Sequence, residues 1–223
     1  ALVSFTGSTA VARQIGARVT GRMGQFVCET GGKSPQIVFA DADLDRAADG
    51  VAQGIFSNAG QSCIAGSRLL VEESVAEDFL QRLAERVERI RVGRMDDPDS
   101  AMGPLASRRQ YDRVTGYLDQ ALSEGAEVRA RGEVPSGAGY FVPPTVLMDE
   151  SRATTAWRTE FFGPVITATT FRDEPEAYAY ANDSDFGLAA GVWTRDLARA
   201  HRAGRALQAG SVWINTYRYM DYR

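Results

Sequence analysis

The sequence predicts an α/β fold in which a mostly parallel sheet is covered by helices, and three observations lead to this prediction. Short apolar runs such as PQIVFA (35–40) and AAGVWT (189–194) have the length of buried strands. Stretches with apolar residues three and four positions apart, typical of amphipathic helices, follow several of these runs. Strand and helix therefore alternate along the chain, as parallel sheets require for their crossover connections.

The first elements illustrate the pattern. LVSFTG (2–7) is an apolar strand ended by a glycine, and Ser8 is placed to cap the helix that follows. Ser74 and Glu77 have the spacing of a capping box before another helix. Further strands are predicted at 25–30, 35–40, 67–72, 127–131, 139–147, 189–194 and 211–215, and helices at 44–55, 76–90, 110–123, 174–182 and 196–210.

Composition excludes several classes of function. The 25 basic and 29 acidic residues give a net charge of −4 without a patch of Lys and Arg, so we expect no nucleic-acid partner. No apolar run reaches the roughly 18 to 20 residues of a membrane helix, so we expect no membrane partner. Two cysteines and one histidine are too few for a structural zinc site, and free thiols favour a reducing, cytoplasmic compartment.

Cys63 is the candidate nucleophile. It lies in NAGQSCIAGSR (58–68), a loop of small and polar residues between a predicted helix and a predicted strand, rather than in an apolar run. A free thiol has a pKa of about 8.5 and needs backbone dipoles or a nearby cation to react at neutral pH. Cys28, in the apolar strand FVCET, is the contrasting case and is expected to be packed in the core.

A nucleophilic cysteine needs a base. The one histidine, His201, lies in a helix rich in Arg and Ala, where a solvated surface position is the simpler interpretation. Glu29 ends an apolar strand just before two glycines, which places its carboxylate at the carboxyl edge of a strand, where open α/β sheets hold their sites. Taken alone, a glutamate at such a position is more often a cap or a surface charge than a catalytic group.

Read together, two motifs carry a resemblance. ETGGKSP (29–35) followed by NAGQSC (58–63) is similar to the paired active-site signature of the aldehyde dehydrogenase superfamily. Cys28, Thr30 and Ala12 depart mildly from the commoner pattern. The resemblance extends along the chain in the family's order through FTGST (5–9), DADLDRAA (41–48), GSRLLVE (66–72), MGPL (102–105), GYFVPPTV (139–146), EFFGPV (160–165), ANDSDFGLAAGVWTRD (181–196) and AGSVWINTY (209–217).

The resemblance implies a reaction. Cys63 attacks an aldehyde, a hydride passes to NAD or NADP, and Glu29 activates the water that hydrolyses the resulting thioester to a carboxylic acid. The backbone N–H of Cys63 is one expected oxyanion donor. The expected cofactor-binding residues are Gly7 and Ser8 at a helix N-terminus facing the pyrophosphate, Glu160 at the nicotinamide ribose, Phe162 at the ring, and Thr30.

The resemblance also sets the expected organisation. Residues 1–31 are the remnant of a dinucleotide-binding domain, and residues 32–223 are a catalytic domain in an aldehyde-dehydrogenase-like three-layer fold. Because ALVSFTG begins inside a strand and the family's N-terminal region has no counterpart, we expect an internal fragment that is inactive alone. The full protein is expected to form a homodimer or homotetramer.

Two alternatives remain at this point. A CoA-acylating semialdehyde dehydrogenase uses CoA rather than water to resolve the thioester, and Glu29 argues against it because a thiol-resolved enzyme needs no such base. A thiol-bearing domain without redox activity is the other.

Overall fold

The chain folds around two β-sheets. The computed structural model describes residues 1–219, so positions 220–223 of the expected catalytic domain lie outside the described residues. The smaller sheet pairs β1 (Leu2–Thr6) with β2 (Gln25–Glu29) in parallel. Helix α1 (Thr9–Thr20) connects them, and the Ser8 hydroxyl caps it by accepting a hydrogen bond from the Val11 N–H, as predicted.

The larger sheet has seven strands: β3 (Pro35–Val38), β4 (Arg68–Glu72), β5 (Glu127–Arg131), β6 (Thr145–Met148), β7 (Val165–Phe171), β8 (Ala189–Trp193) and β9 (Ser211–Ile214). Their order across the sheet is β5-β6-β7-β4-β3-β8-β9. All neighbours are parallel except β5, which runs antiparallel to β6 at one edge.

Helices cover both faces of this sheet, because strand side chains alternate between two cores. The helices are α2 (Leu44–Phe56), α3 (Ala76–Glu88), α4 (Arg108–Ser123), α5 (Thr155–Arg158), α6 (Glu174–Asn182) and α7 (Leu197–Ala206). Val38 and Leu69 belong to one core, with apolar side chains of α2, α3 and α4. Ile37 and Leu70 belong to the other core, with apolar side chains of α6 and α7. The layers are therefore helix, sheet and helix, which confirms the predicted fold class.

Three local expectations were wrong or incomplete. β7, the strand between β6 and β4, was not predicted, because three Thr residues interrupt the apolar run in VITATTF and the segment directly follows a Gly-Pro turn. The capping box at Ser74 does not form: that hydroxyl donates to the Glu72 carboxylate, and a short 3₁₀ turn (Glu73–Val75) leads into α3 without a side-chain cap. The short helix α5 was also missed.

Cys28 is exposed, contrary to the expected core position. It lies on β2, in a sheet of two strands, so the outer side chains of β2 have no second layer above them. Apolar composition predicted the strand correctly, but the burial of Cys28 depends on how many neighbouring elements pack against that strand, which composition does not indicate.

The chain has no membrane-spanning candidate in the described part: none of the helices within residues 1–219 is long and apolar enough to cross a bilayer.

Candidate active site

Three loops meet because three strands are neighbours. β7, β4 and β3 lie side by side and run in the same direction, so the loops that precede them emerge at one edge of the sheet. These loops carry residues 159–164, 57–67 and 30–34. The carboxyl ends of β1 and β2 face the same region, where the Gly7 N–H donates to the Glu29 carbonyl at 3.1 Å. The larger sheet thus contributes to this region the edge formed by the N-terminal ends of its strands, and the smaller sheet contributes the edge formed by the C-terminal ends of its strands.

The Cys63 loop is compact and strained. After α2, the three successive residues Asn58, Ala59 and Gly60 all have positive φ, of 55°, 52° and 70°. Left-handed conformations cost free energy for residues with a side chain, and such strain is concentrated at functional sites. Gly60 has a further reason to be glycine, because a methyl group there would overlap the Gly163 carbonyl. The loop is therefore locked against the segment that precedes β7.

Cys63 lines a cleft of about 520 Å³, which we call the cysteine cleft. The thiol is half-buried. Among residues 1–219, no group accepts a hydrogen bond from the backbone N–H of Cys63, so this donor is available to a ligand. The cleft contains five predicted cofactor residues beside Cys63; its lining consists of Thr6, Gly7, Ser8, Thr30, Gly31, Gln61, Ser62, Cys63, Gln110, Arg113, Glu160 and Phe162.

Glu29 lines an adjoining cleft of about 650 Å³, which we call the glutamate cleft. The Glu29 side chain is exposed, at the last position of β2, as the sequence predicted. The two clefts share part of their walls, so Glu29 and Cys63 open to neighbouring volumes on one side of the molecule. The shared lining residues are Ser8, Thr30, Gly31, Arg113 and Glu160.

The two glycines after Glu29 allow the loops to approach closely. A methyl group on Gly31 would overlap the Glu160 carboxylate, and one on Gly32 would overlap the Cys63 carbonyl. Both positions therefore require glycine for space. The TGG motif thus brings the backbone of residues 31–32 into contact with two of the predicted site residues at once.

Glu160 is held by backbone and by charge. Its carboxylate accepts a hydrogen bond from the Gly32 N–H at 3.1 Å. Burial raises the pKa of Glu160, while the Gly32 N–H and the positive charges of Arg113 and Lys33 act in the opposite direction. A carboxylate in this setting is a strong hydrogen-bond acceptor with few competing waters.

Lys33 is an unusual buried cation beside the segment that precedes β7. Only 2% of its surface is exposed, and its ammonium lies 5.2 Å from the centroid of the Phe161 ring. Burial, with a smaller contribution from the charge of Arg68, lowers the pKa of Lys33 to about 7. Burial therefore weakens proton binding by this amine, which lies next to the segment that carries Glu160.

Helix α4 supports the segment before β7. The Gln110 side chain donates to the carbonyls of Phe161 and Phe162 at 2.9 and 2.8 Å, and Arg113 donates to the Glu160 carbonyl at 3.3 Å. Phe162 has a φ of 54°, a strained conformation for an aromatic residue. These contacts hold the Phe162 ring at the cleft wall.

Sequence reasoning missed four residues of this region. Gln110 and Arg113 lie three positions apart, so one face of α4 presents both. Their types in the sequence did not distinguish them from surface residues. Lys33 stands directly after the glycine pair, which was the available signal. Arg68 is buried, and its guanidinium donates to carbonyls of Lys33, Tyr180 and Ala181.

His201 is exposed on α7 and lines neither cleft, in agreement with a surface position. Within residues 1–219, no group of three or more His, Cys, Asp or Glu side chains is arranged to hold a metal ion.

This fold and this arrangement of loops define the class of the protein: the chain belongs to the aldehyde dehydrogenase family, whose model matches residues 1–222. Among curated relatives, the chain is 45% identical over 221 residues to (Z)-2-((N-methylformamido)methylene)-5-hydroxybutyrolactone dehydrogenase of Acinetobacter baylyi, covering 98% of this chain and 45% of the relative. It is 46% identical to betaine aldehyde dehydrogenase of Cereibacter sphaeroides, covering 97% and 45% of the two.

Solved structures of aldehyde dehydrogenases are similar to this chain along nearly its whole length. A variant of aldehyde dehydrogenase from Bacillus cereus superimposes with a TM-score of 0.95 at 40% identity, covering 98% of this chain and 45% of that one. Betaine aldehyde dehydrogenase from Staphylococcus aureus in complex with NAD⁺ superimposes with a TM-score of 0.94 at 38% identity, covering 98% and 44%. The chain thus spans about 45% of the length of the curated relatives it matches.

Proposed function

We propose that the polypeptide containing this chain oxidises an aldehyde to a carboxylic acid with NAD or NADP, using Cys63 as the nucleophile and Glu29 as the base that activates water. The observation that carries the proposal is the cysteine cleft, in which a half-buried thiol opens to the same volume as Gly7, Ser8, Glu160 and Phe162. The family relation supports the reaction class.

The residues of the cleft fit a dinucleotide. The N-terminus of α1 lies at its wall, with the free N–H groups and positive end of the helix dipole that favour a phosphate. Glu160 offers a carboxylate to ribose hydroxyl groups, and Phe162 offers an apolar face. When bound, the nicotinamide supplies the hydride acceptor. The NAD⁺ complex of the S. aureus relative supports this assignment. The change from the smaller sheet to the larger one after β2 supports the proposal of a domain boundary near residue 31.

The chain's own groups account for the other parts of the reaction. The Cys63 sulfur forms a bond to the aldehyde carbon, and the free backbone N–H of Cys63 stabilises the negative charge that develops on oxygen. Once hydride has left the carbon, an acyl thioester remains on Cys63. Glu29 removes a proton from water, the hydroxide adds to the thioester, and the thiolate leaves with release of the acid.

Glu29→Gln tests, in one experiment, the role of Cys63 as the nucleophile and that of Glu29 as the base that activates water. We expect this variant, in a polypeptide of the relatives' full length, to acylate Cys63 but to release the acid at least about 100-fold more slowly. Intact-mass and peptide analysis after a single turnover should then find the acyl group on Cys63, and Glu133→Gln, an exposed loop substitution, should behave as the parent.

Absence of the adduct in Glu29→Gln, or an adduct elsewhere, would contradict the assignment. If CoA gave full turnover in both the parent and Glu29→Gln, the CoA-acylating alternative would be favoured. Assembly into homodimers or homotetramers and a cytoplasmic location remain predictions, the latter supported by the two free thiols.

A further inference from the structure

We propose that Tyr217 is a positioning residue for Cys63, acting through a hydrogen bond to the carbonyl of Ile64, the residue that follows the nucleophile. The inference rests on the proposed role of Cys63 and adds a residue from the opposite end of the chain. The Tyr217 hydroxyl donates to the Ile64 carbonyl at 2.8 Å. Among residues 1–219, no backbone N–H donates to that carbonyl, so the Tyr217 hydroxyl takes the place of a main-chain donor.

The Tyr217 side chain is held firmly. It is 8% exposed, and its ring lies 4.9 Å from the Trp213 ring in an edge-on arrangement. The ring also lies against the α-carbons of Gly54 and Gly191, where a methyl group would come within 2.8 Å and 2.7 Å of ring carbons. Burial raises the pKa of Tyr217, so the phenol stays protonated and remains a donor over the whole working range of pH.

The Cys63 loop needs such support because it belongs to no helix or strand. Gly32 contacts the Cys63 carbonyl from one side, and Tyr217 binds the next carbonyl, that of Ile64. Two successive peptide groups are thereby fixed by two distant segments. Fixing them restricts the orientation of Cys63, which lines the cysteine cleft.

Tyr217→Phe separates positioning from packing, because it removes the hydroxyl and keeps the ring. Tyr178→Phe is the matched control: its hydroxyl donates to Glu174 at 3.0 Å on α6, and it lines neither cleft. The measurement is the second-order rate of alkylation by iodoacetamide at Cys63 and at Cys28 in the same sample, quantified by peptide mass spectrometry from pH 6 to 9. Cys28 serves as an internal reference.

We expect Tyr217→Phe to lower the ratio of the Cys63 rate to the Cys28 rate about fivefold, the factor that corresponds to one neutral hydrogen bond. Tyr178→Phe should leave the ratio unchanged. An unchanged or increased ratio in Tyr217→Phe, or equal changes at both cysteines, would overturn the proposal. If the parent itself shows no preference for Cys63, the proposed function fails first, so the two failures are distinguishable.

Hydrogen exchange provides a second readout that does not depend on thiol chemistry. Amides of residues 61–66 should exchange faster in Tyr217→Phe than in the parent, while peptides from α6 and β2 should be unaffected. Unchanged exchange in 61–66 would also overturn the proposal, even if the thermal stability of the variant were lower.

Discussion

Replacing Lys33 by Met should remove a pH-dependent part of the stability. In the folded chain burial lowers the pKa of Lys33 from 10.5 to about 7, so between these values the folded state holds a neutral amine and the unfolded state an ammonium. Unfolding then takes up a proton, and the free energy of unfolding rises with pH. The penalty for burying the charge is complete below pH 7 and is lost as pH rises toward 10.5.

The expected size follows from the shift. Each pKa unit corresponds to about 1.4 kcal/mol, and the folded amine is still partly protonated near pH 7, so the parent should gain about 2 kcal/mol relative to Lys33→Met between pH 7 and pH 9. Urea unfolding followed by tryptophan fluorescence at pH 6, 7, 8 and 9 measures this difference. Since the Glu160 carboxylate raises the pKa of Lys33, a Glu160→Gln background should move the window to lower pH.

The account of Lys33 is refuted if the difference in unfolding free energy between parent and Lys33→Met stays constant, within about 0.5 kcal/mol, from pH 6 to pH 9. Such a result would mean that the amine is charged in both states, and that water or a partner compensates its burial.

Two further predictions concern the frame of the site. Gly32→Ala should destabilise the chain by about 2 kcal/mol and slow the alkylation of Cys63, because the added methyl group overlaps the Cys63 carbonyl. The control is Gly116→Ala on α4, which has open space around it and should be neutral or stabilising by up to about 1 kcal/mol. Equal effects of the two substitutions would contradict this reasoning. Arg68→Met should lower the free energy of unfolding in urea by about 3 kcal/mol, because it leaves the carbonyls of Lys33, Tyr180 and Ala181 without their buried donor. The control, Arg109→Met at an exposed position, should change this free energy little. A cost below about 1 kcal/mol for Arg68→Met would show that these carbonyls are satisfied in another way.

Much of the fold was predictable from local pattern. Helix α2 and strands such as β3 and β8 were found because apolar spacing and turn residues act over a few positions. β7 was missed because its Thr residues, Thr167 and Thr169, are fully buried with their hydroxyls bonded to a backbone carbonyl and to a glutamate. Such pairing depends on tertiary neighbours that composition does not report.

The candidate site was only partly predictable for a related reason. Local context made Cys63 and Glu29 candidates, but their pairing came from the resemblance of ETGGKSP and NAGQSC to the aldehyde dehydrogenase signature. The convergence of their loops depends on the strand order β7-β4-β3, which no short motif encodes. Lys33, Gln110 and Tyr217 contribute through contacts with backbone carbonyls or through burial, and those roles exist only once the distant segments have met.

The most direct test of the central claim, that Cys63 is an activated nucleophile in an accessible cleft, is the rate of alkylation of Cys63 relative to Cys28 in the chain itself at pH 7. Cys28 is the more exposed thiol, so access alone favours Cys28. The account predicts that Cys63 reacts at least about tenfold faster. Equal rates, or faster reaction at Cys28, would contradict it.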